Sequence, residues 1–129
     1  MKLSILITLL NEELVLAQTH AAISAQLEDM LGKDLSDYEI LYIDDGSNDR
    51  TFELIEGFAK GNDRVKYIRF SRNFGRESGI LAGFKYATGD AVMVMDGDLQ
   101  HPPYLIPLFL EAYKEGYDIV SGQRTRDGE

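Results

Sequence analysis

With 129 residues, the chain has room for one domain and one hydrophobic core. Its composition, 44% apolar and 27% charged, excludes a disordered or fibrous protein. A net charge of -9 repels nucleic acid and anionic surfaces at long range, so an anionic ligand needs local cations; the lack of cysteine excludes disulfides, thiolate zinc sites and thiol nucleophiles.

Lys2 to Thr8 is an apolar run of buried-strand length. Glu13 to Met30 has helical spacing, with Leu14, Ala17, Ala21, Leu27 and Leu31 near one face and Gly32 as a stop. Tyr38 to Asp44 reads as the second strand and Thr51 to Lys60 as the second helix, with Ser47 and Asn48 as caps and Gly61 beyond its end. Val65 to Phe70 is the third strand, Glu77 to Ala87 the third helix, and Ala91 to Asp96 the fourth strand after Gly89. Pro102-Pro103 opens a fourth helix, Pro103 to Glu115, which stops at Gly116 before a fifth strand, Tyr117 to Ser121. The start, Met1 to Leu10, lacks the pattern of a signal peptide, and no stretch reaches the roughly 18 apolar residues of a membrane span, so a soluble cytoplasmic chain is the expectation.

Strict alternation predicts an α/β fold: a mostly parallel, Rossmann-like sheet with helices on both faces and right-handed crossovers. Such sheets bind ligands beyond the carboxyl ends of the strands, where strand order reverses. With the order 3-2-1-4, the segments after the first, second and fourth strands converge on one crevice, and all three are polar and mostly acidic.

Asp96-x-Asp98 places two carboxylates two residues apart, and Gln100 extends the series to an all-oxygen set suited to Mg²⁺ or Mn²⁺. A solvated acidic turn is the plainer reading of such a pair. Its place at the end of the apolar run Ala91 to Met95, where uncompensated charge is costly, favours the metal. In Asp44-Asp45-Gly46-Ser47, a carboxylate can accept from a nucleobase imide or a ribose hydroxyl, with Gly46 letting backbone approach the ligand; an Asx turn and a helix cap explain the same residues, and both readings can hold. Asn11, Glu12 and Glu13 also read as caps at the first helix. Ser71 to Glu77 is the only cationic loop before the C-terminus, and Arg72 or Arg76 suits a phosphate or a surface ion pair; Arg124 and Arg126 are second candidates. His101 stands beside the metal candidates as a ligand, an acid/base group or a solvated turn residue. His20 is assigned no function. No Ser-His-Asp or Cys-His order and no phosphate loop with a G-x-x-x-x-G-K-[ST] pattern occurs.

Taken in order, Leu10-Asn11-Glu12-Glu13, Asp44 to Thr51, Ser71 to Glu77 and Met95-Asp96-Gly97-Asp98-Leu99-Gln100-His101-Pro102-Pro103 resemble glycosyltransferase family 2, nearest the dolichol- and polyprenyl-phosphate sugar synthases. The resemblance implies a GT-A fold and an inverting, metal-dependent hexosyl transfer from a UDP- or GDP-sugar, with Mg²⁺ or Mn²⁺ on the diphosphate. By carry-over, Asp45 resembles the base-recognition carboxylate, Thr8 and Glu12 nucleoside contacts, Asp96 a ribose or metal contact, Asp98 and Gln100 metal ligands, and Arg124 a phosphate contact. Asn11, Asp44 and Arg72 complete the expected donor site. Thr8 and Leu10 stand where the family usually has Pro and an aromatic, which leaves the choice of nucleotide open.

Residues 1–129 are thus expected to be one nucleotide-sugar-binding domain, the N-terminal part of a longer enzyme whose catalytic base lies outside this chain. The acceptor would be a lipid phosphate or a glycan, the full-length protein would work at the cytoplasmic face of a membrane, and a homodimer is an open arrangement. A nucleotidyltransferase would need a Gly-rich, Lys-containing loop after the first strand, where Asn11-Glu12-Glu13 stands. A receiver-like binding module would place its acids after strands one and three, whereas here they follow strands two and four.

Overall fold

The computed structural model describes residues 1–97 and 102–116. Their elements run β1 (Lys2–Leu9), α1 (Leu16–Met30), β2 (Asp37–Asp44), α2 (Thr51–Ala59), β3 (Val65–Arg69), α3 (Arg76–Tyr86), β4 (Ala91–Asp96) and α4 (Leu105–Lys114). The expected fifth strand, together with Asp98, Gln100, His101, Arg124 and Arg126, lies outside the described residues.

The four strands pair in parallel in the order β3-β2-β1-β4, the order that brings the acidic tips together. Near-continuous apolar runs form these strands because both faces are covered. On one face, Leu3, Ile5, Ile7 and Leu9 of β1 join Ile40 and Tyr42 of β2 and Met93 and Met95 of β4. Leu16, Ile23 and Leu27 of α1, Ile55 of α2, and Ile106 and Leu110 of α4 close over them. On the other face Leu6, Leu41 and Ile43 lie below α3. That helix sits close to the sheet because Gly79 and Gly83 meet it: a Cβ at Gly83 would stand 2.8 Å from Leu6 Cδ1, and one at Gly79 3.3 Å from Thr8 Cγ2.

Helix α1 departs from expectation. It begins at Leu16 rather than Glu13, and it buries Leu16, Thr19, Ile23, Leu27 and Met30. Leu14, expected on the inner face, is 94% exposed, and Ala17 and Ala21 also face outward. The segment before the helix is committed elsewhere, because the backbone N–H groups of Asn11, Glu12 and Glu13 donate to Ser47, Thr51 and Asp49 instead of entering a helix. The caps differ for the same reason. Ser47 accepts from Asn11, and Asp49 takes the Thr51 N–H that opens α2.

His20 of α1 stacks on Phe58 of α2, with ring centroids 3.9 Å apart, and its Nδ1 lies 2.6 Å from the buried Tyr42 hydroxyl. Burial holds its pKa below the ordinary 6.5. The folded protein therefore resists a proton that the unfolded chain accepts, so this group leaves stability intact above pH 6.5 and erodes it as pH falls below that value. The urea midpoint is expected to drop between pH 7 and 5.5, and His20→Gln to remove that part of the slope; equal slopes in both proteins would contradict the assignment.

Candidate functional site

The crevice is built at the carboxyl ends of the strands. Register places Thr8 of β1 level with Asp96 of β4 and with Ile43 of β2, and Leu9 level with Asp44. The first acidic residue of the Asp96-Gly97-Asp98 sequence thus stands directly beside Thr8. Beyond it, the Gly97 carbonyl accepts a hydrogen bond from the buried Thr19 hydroxyl at 3.1 Å, which ties the end of β4 to α1.

The loops after β1 and β2 form one unit. The Leu9 carbonyl accepts the Asp45 N–H at 2.9 Å, Ser47 Oγ accepts the Asn11 N–H at 2.9 Å, and Asn11 Oδ1 accepts the Asn48 N–H at 2.9 Å. Asn11 holds a positive φ of 53°, a conformation that asparagine tolerates better than most residues. Its side chain, expected at the nucleotide, bridges the two loops. Asp49 completes the unit: burial alone would raise its pKa, but hydrogen bonds from Thr51 and from the Glu13 N–H outweigh it and hold it below the usual range.

The two carboxylates after β2 have separate roles. Asp44 has no exposed surface; its Oδ1 accepts the Ser47 N–H at 3.0 Å, and Arg69 Nε lies 3.9 Å from its Oδ2, which has no hydrogen-bond partner among the described residues. Asp44, expected in the nucleotide site, is enclosed at the turn after β2, where it holds the Ser47 N–H. Asp45 is 5% exposed, and its oxygens accept the Phe74 N–H at 2.8 Å and the Gly75 N–H at 3.1 Å. Each oxygen keeps one lone pair for a further donor. This bond pair draws the Ser71 to Gly75 loop over the tip of β2. Gly46, at φ 83°, permits it, for a Cβ there would lie 2.3 Å from the Arg72 carbonyl carbon. The close approach expected for a ligand at Gly46 is made by the protein's own backbone.

The cations of the third loop also divide. Arg72 is exposed and stacks over Phe74 at 4.5 Å, which leaves its guanidinium edge open to solvent. Arg76, in the first turn of α3, crosses the crevice and donates from Nε to Asp96 Oδ1 at 2.9 Å. Sequence spacing gave no basis for choosing between them. Among the described residues no group of three or more His, Cys, Asp or Glu side chains is placed to hold a metal ion. Of the expected metal ligands only Asp96 is described; the set it would form with Asp98 and Gln100 is all oxygen, which suits a hard divalent cation, and the contact with Arg76 marks Asp96 as a place where positive charge is accommodated. No helix among the described residues is long and apolar enough to cross a membrane.

Comparison with known proteins identifies the family and the fold. Residues 4–129 match the sequence model of glycosyl transferase family 2. The chain is 42% identical over 123 residues to the uncharacterized glycosyltransferase YkcC of Bacillus subtilis, covering 95% of this chain and 37% of YkcC. It is 40% identical over 128 residues to the dolichol-phosphate mannosyltransferase of Pyrococcus furiosus, covering 99% of this chain and 34% of that protein. It therefore spans well under half the length of either relative. Among solved structures, the mannosyltransferase PcManGT from Pyrobaculum calidifontis, in complex with GDP-Man and Mn²⁺, superposes with a TM-score of 0.63 at 18% identity, covering 74% of this chain and 27% of that one, which shows a shared GT-A fold. By the family match and these relatives, the chain belongs to glycosyl transferase family 2 and is similar to its dolichol-phosphate sugar synthase branch.

Proposed function

We propose that this chain holds the nucleotide end of a UDP- or GDP-sugar and that the longer enzyme transfers the sugar, with inversion, to a polyprenyl phosphate or a growing glycan. The reading is carried by the register of Thr8 beside Asp96, with the Asp45 carboxylate one strand away, at the switch point of a family 2 sheet. Asp45 would accept the imide N–H of the base on a lone pair left by Phe74 and Gly75, with Thr8 and Glu12 against the nucleoside. Arg72, and Arg124 beyond the described residues, would meet the phosphates.

Asp96, Asp98 and Gln100 would hold Mg²⁺ or Mn²⁺. When bound, the metal supplies charge neutralisation for the departing diphosphate. Asp44 and the knitted loops keep Asp45 in place, which is catalysis by positioning. A phosphate acceptor is already a nucleophile and needs little help from a base, whereas a hydroxyl acceptor needs a carboxylate within hydrogen-bond reach, supplied from outside the described residues. A lipid-linked acceptor would place the enzyme at the cytoplasmic face of a membrane.

Isothermal calorimetry with UDP and GDP, in Mn²⁺ and then in EDTA, tests this. One nucleotide is expected to bind in a metal-dependent way, and Asp98→Ala to weaken it by about 100-fold, as loss of a metal-site residue does. A folded protein that binds neither nucleotide would sink the proposal.

A further inference from the structure

The ion pair between Arg76 and Asp96 joins two residues 20 apart in sequence across the mouth of the crevice. Helix α3 connects β3 to β4 over β2 and β1, with Gly79 lying against Thr8 and Ile43, so its first turn stands at the carboxyl edge of the sheet. The Asp45 carboxylate binds the N–H groups of Phe74 and Gly75, the two residues before Arg76. The start of the helix is therefore fixed from the same side of the crevice on which the base would lie.

We propose that Arg76 is a positioning residue that stands in for the metal at Asp96, so that metal ion and donor diphosphate bind cooperatively. The inference rests on the donor-site reading above. Asp96, on the end of a strand and 19% exposed, has little freedom to move, whereas the Arg76 side chain is 52% exposed and flexible enough to swing away. A divalent cation approaching Asp96 alone meets a guanidinium already bound to the carboxylate and is repelled by it. A diphosphate offers that guanidinium a better acceptor, in bidentate geometry, and draws it away from Asp96, which lowers the cost of a cation there. Linkage then requires each ligand to raise the affinity of the other.

The test is calorimetric titration of the full chain with Mn²⁺ alone, and with UDP or GDP in saturating Mn²⁺, on wild type, Arg76→Gln, Arg76→Met and Arg76→Lys, with circular dichroism as the check on folding. Both uncharged variants are expected to bind Mn²⁺ alone about 10-fold more tightly and the nucleotide about 10-fold more weakly, consistent with removal of one partly screened charge. Arg76→Lys keeps the charge and is expected to hold Mn²⁺ affinity within about 3-fold of wild type. Mn²⁺ affinity unchanged or weakened in both uncharged variants, with nucleotide binding intact in wild type, overturns this inference alone. A folded wild type that binds neither Mn²⁺ nor nucleotide overturns the donor-site reading, and this one with it.

Discussion

Gly46→Ala is expected to destabilise the protein by about 3 kcal/mol and to abolish nucleotide binding, with a clear fall in the urea midpoint. Two costs combine. An alanine at φ 83° is strained by roughly 1 kcal/mol, and its Cβ would fall 2.3 Å from the Arg72 carbonyl carbon and 2.5 Å from the Asn73 nitrogen. These are backbone atoms, so no rotamer change relieves the contact. The Ser71 to Gly75 loop would have to lift, and Asp45 would lose the Phe74 and Gly75 N–H groups, leaving a buried carboxylate short of donors. Gly57→Ala is the control. It lies inside α2 with nothing within 4 Å of its would-be Cβ, so the substitution is expected to stabilise by about 0.5–1 kcal/mol. Matching urea midpoints for Gly46→Ala and wild type, with nucleotide affinity retained, would show that the contact between the two loops does not shape the crevice.

The sheet was legible because its signal is local. Apolar runs of strand length separated by helical spacing name the elements, and alternation of the two dictates parallel pairing. The order β3-β2-β1-β4 is the one dinucleotide-binding sheets use, and it brings the acidic residues at the strand ends together. What was not legible depends on partners far along the chain. Asn11, Glu12 and Glu13 look like the first turn of a helix, and nothing near them in sequence says that Ser47, Asp49 and Thr51 will take their N–H groups. In the same way, two arginines four residues apart carry the same chemistry. Only the path of α3 over Thr8 decides that Arg76 reaches Asp96 while Arg72 turns out over Phe74. Asp44 ends β2 and Asp45 begins the turn beyond it; both are buried, and only their partners, Ser47 for one and Phe74 and Gly75 for the other, separate their roles. Glu39 had a sequence signal that went unread: a charge inside a buried apolar strand implies a compensating network.

Glu39→Ala is expected to cost about 3 kcal/mol at pH 7, mainly from the buried donors left without their acceptor. The Glu39 side chain is 2% exposed and accepts hydrogen bonds from Lys66 Nζ at 2.8 Å, Ser4 Oγ at 2.6 Å and the Thr88 N–H at 2.7 Å. Removing it leaves the Ser4 hydroxyl and the Thr88 N–H without their acceptor, while the half-exposed Lys66 turns to water, and it loosens the hold of β2 on β1, β3 and the end of α3. Burial alone would push the Glu39 carboxyl up, but the bonds from Lys66, Ser4 and Thr88 outweigh it and hold the pKa at about 2, against an ordinary 4.5. Because the folded value lies below the unfolded one, this stabilisation is complete above pH 4.5 and is lost as pH falls toward 2, which amounts to about 3 kcal/mol over that window. Glu39→Gln keeps the shape without the titration. It is expected to be less stable than wild type by about 2 kcal/mol at neutral pH and to close that gap as both are acidified. Asp37 and Asp49 also titrate below their ordinary range, but they do so in both proteins, so the difference between the two acid curves isolates Glu39. A gap that stays constant from pH 5 to pH 2 would show that Glu39 contributes packing rather than charge. Nucleotide affinity should be the same in both, because Glu39 pairs with Ser4 near the amino ends of the strands, at the far side of the sheet from the crevice.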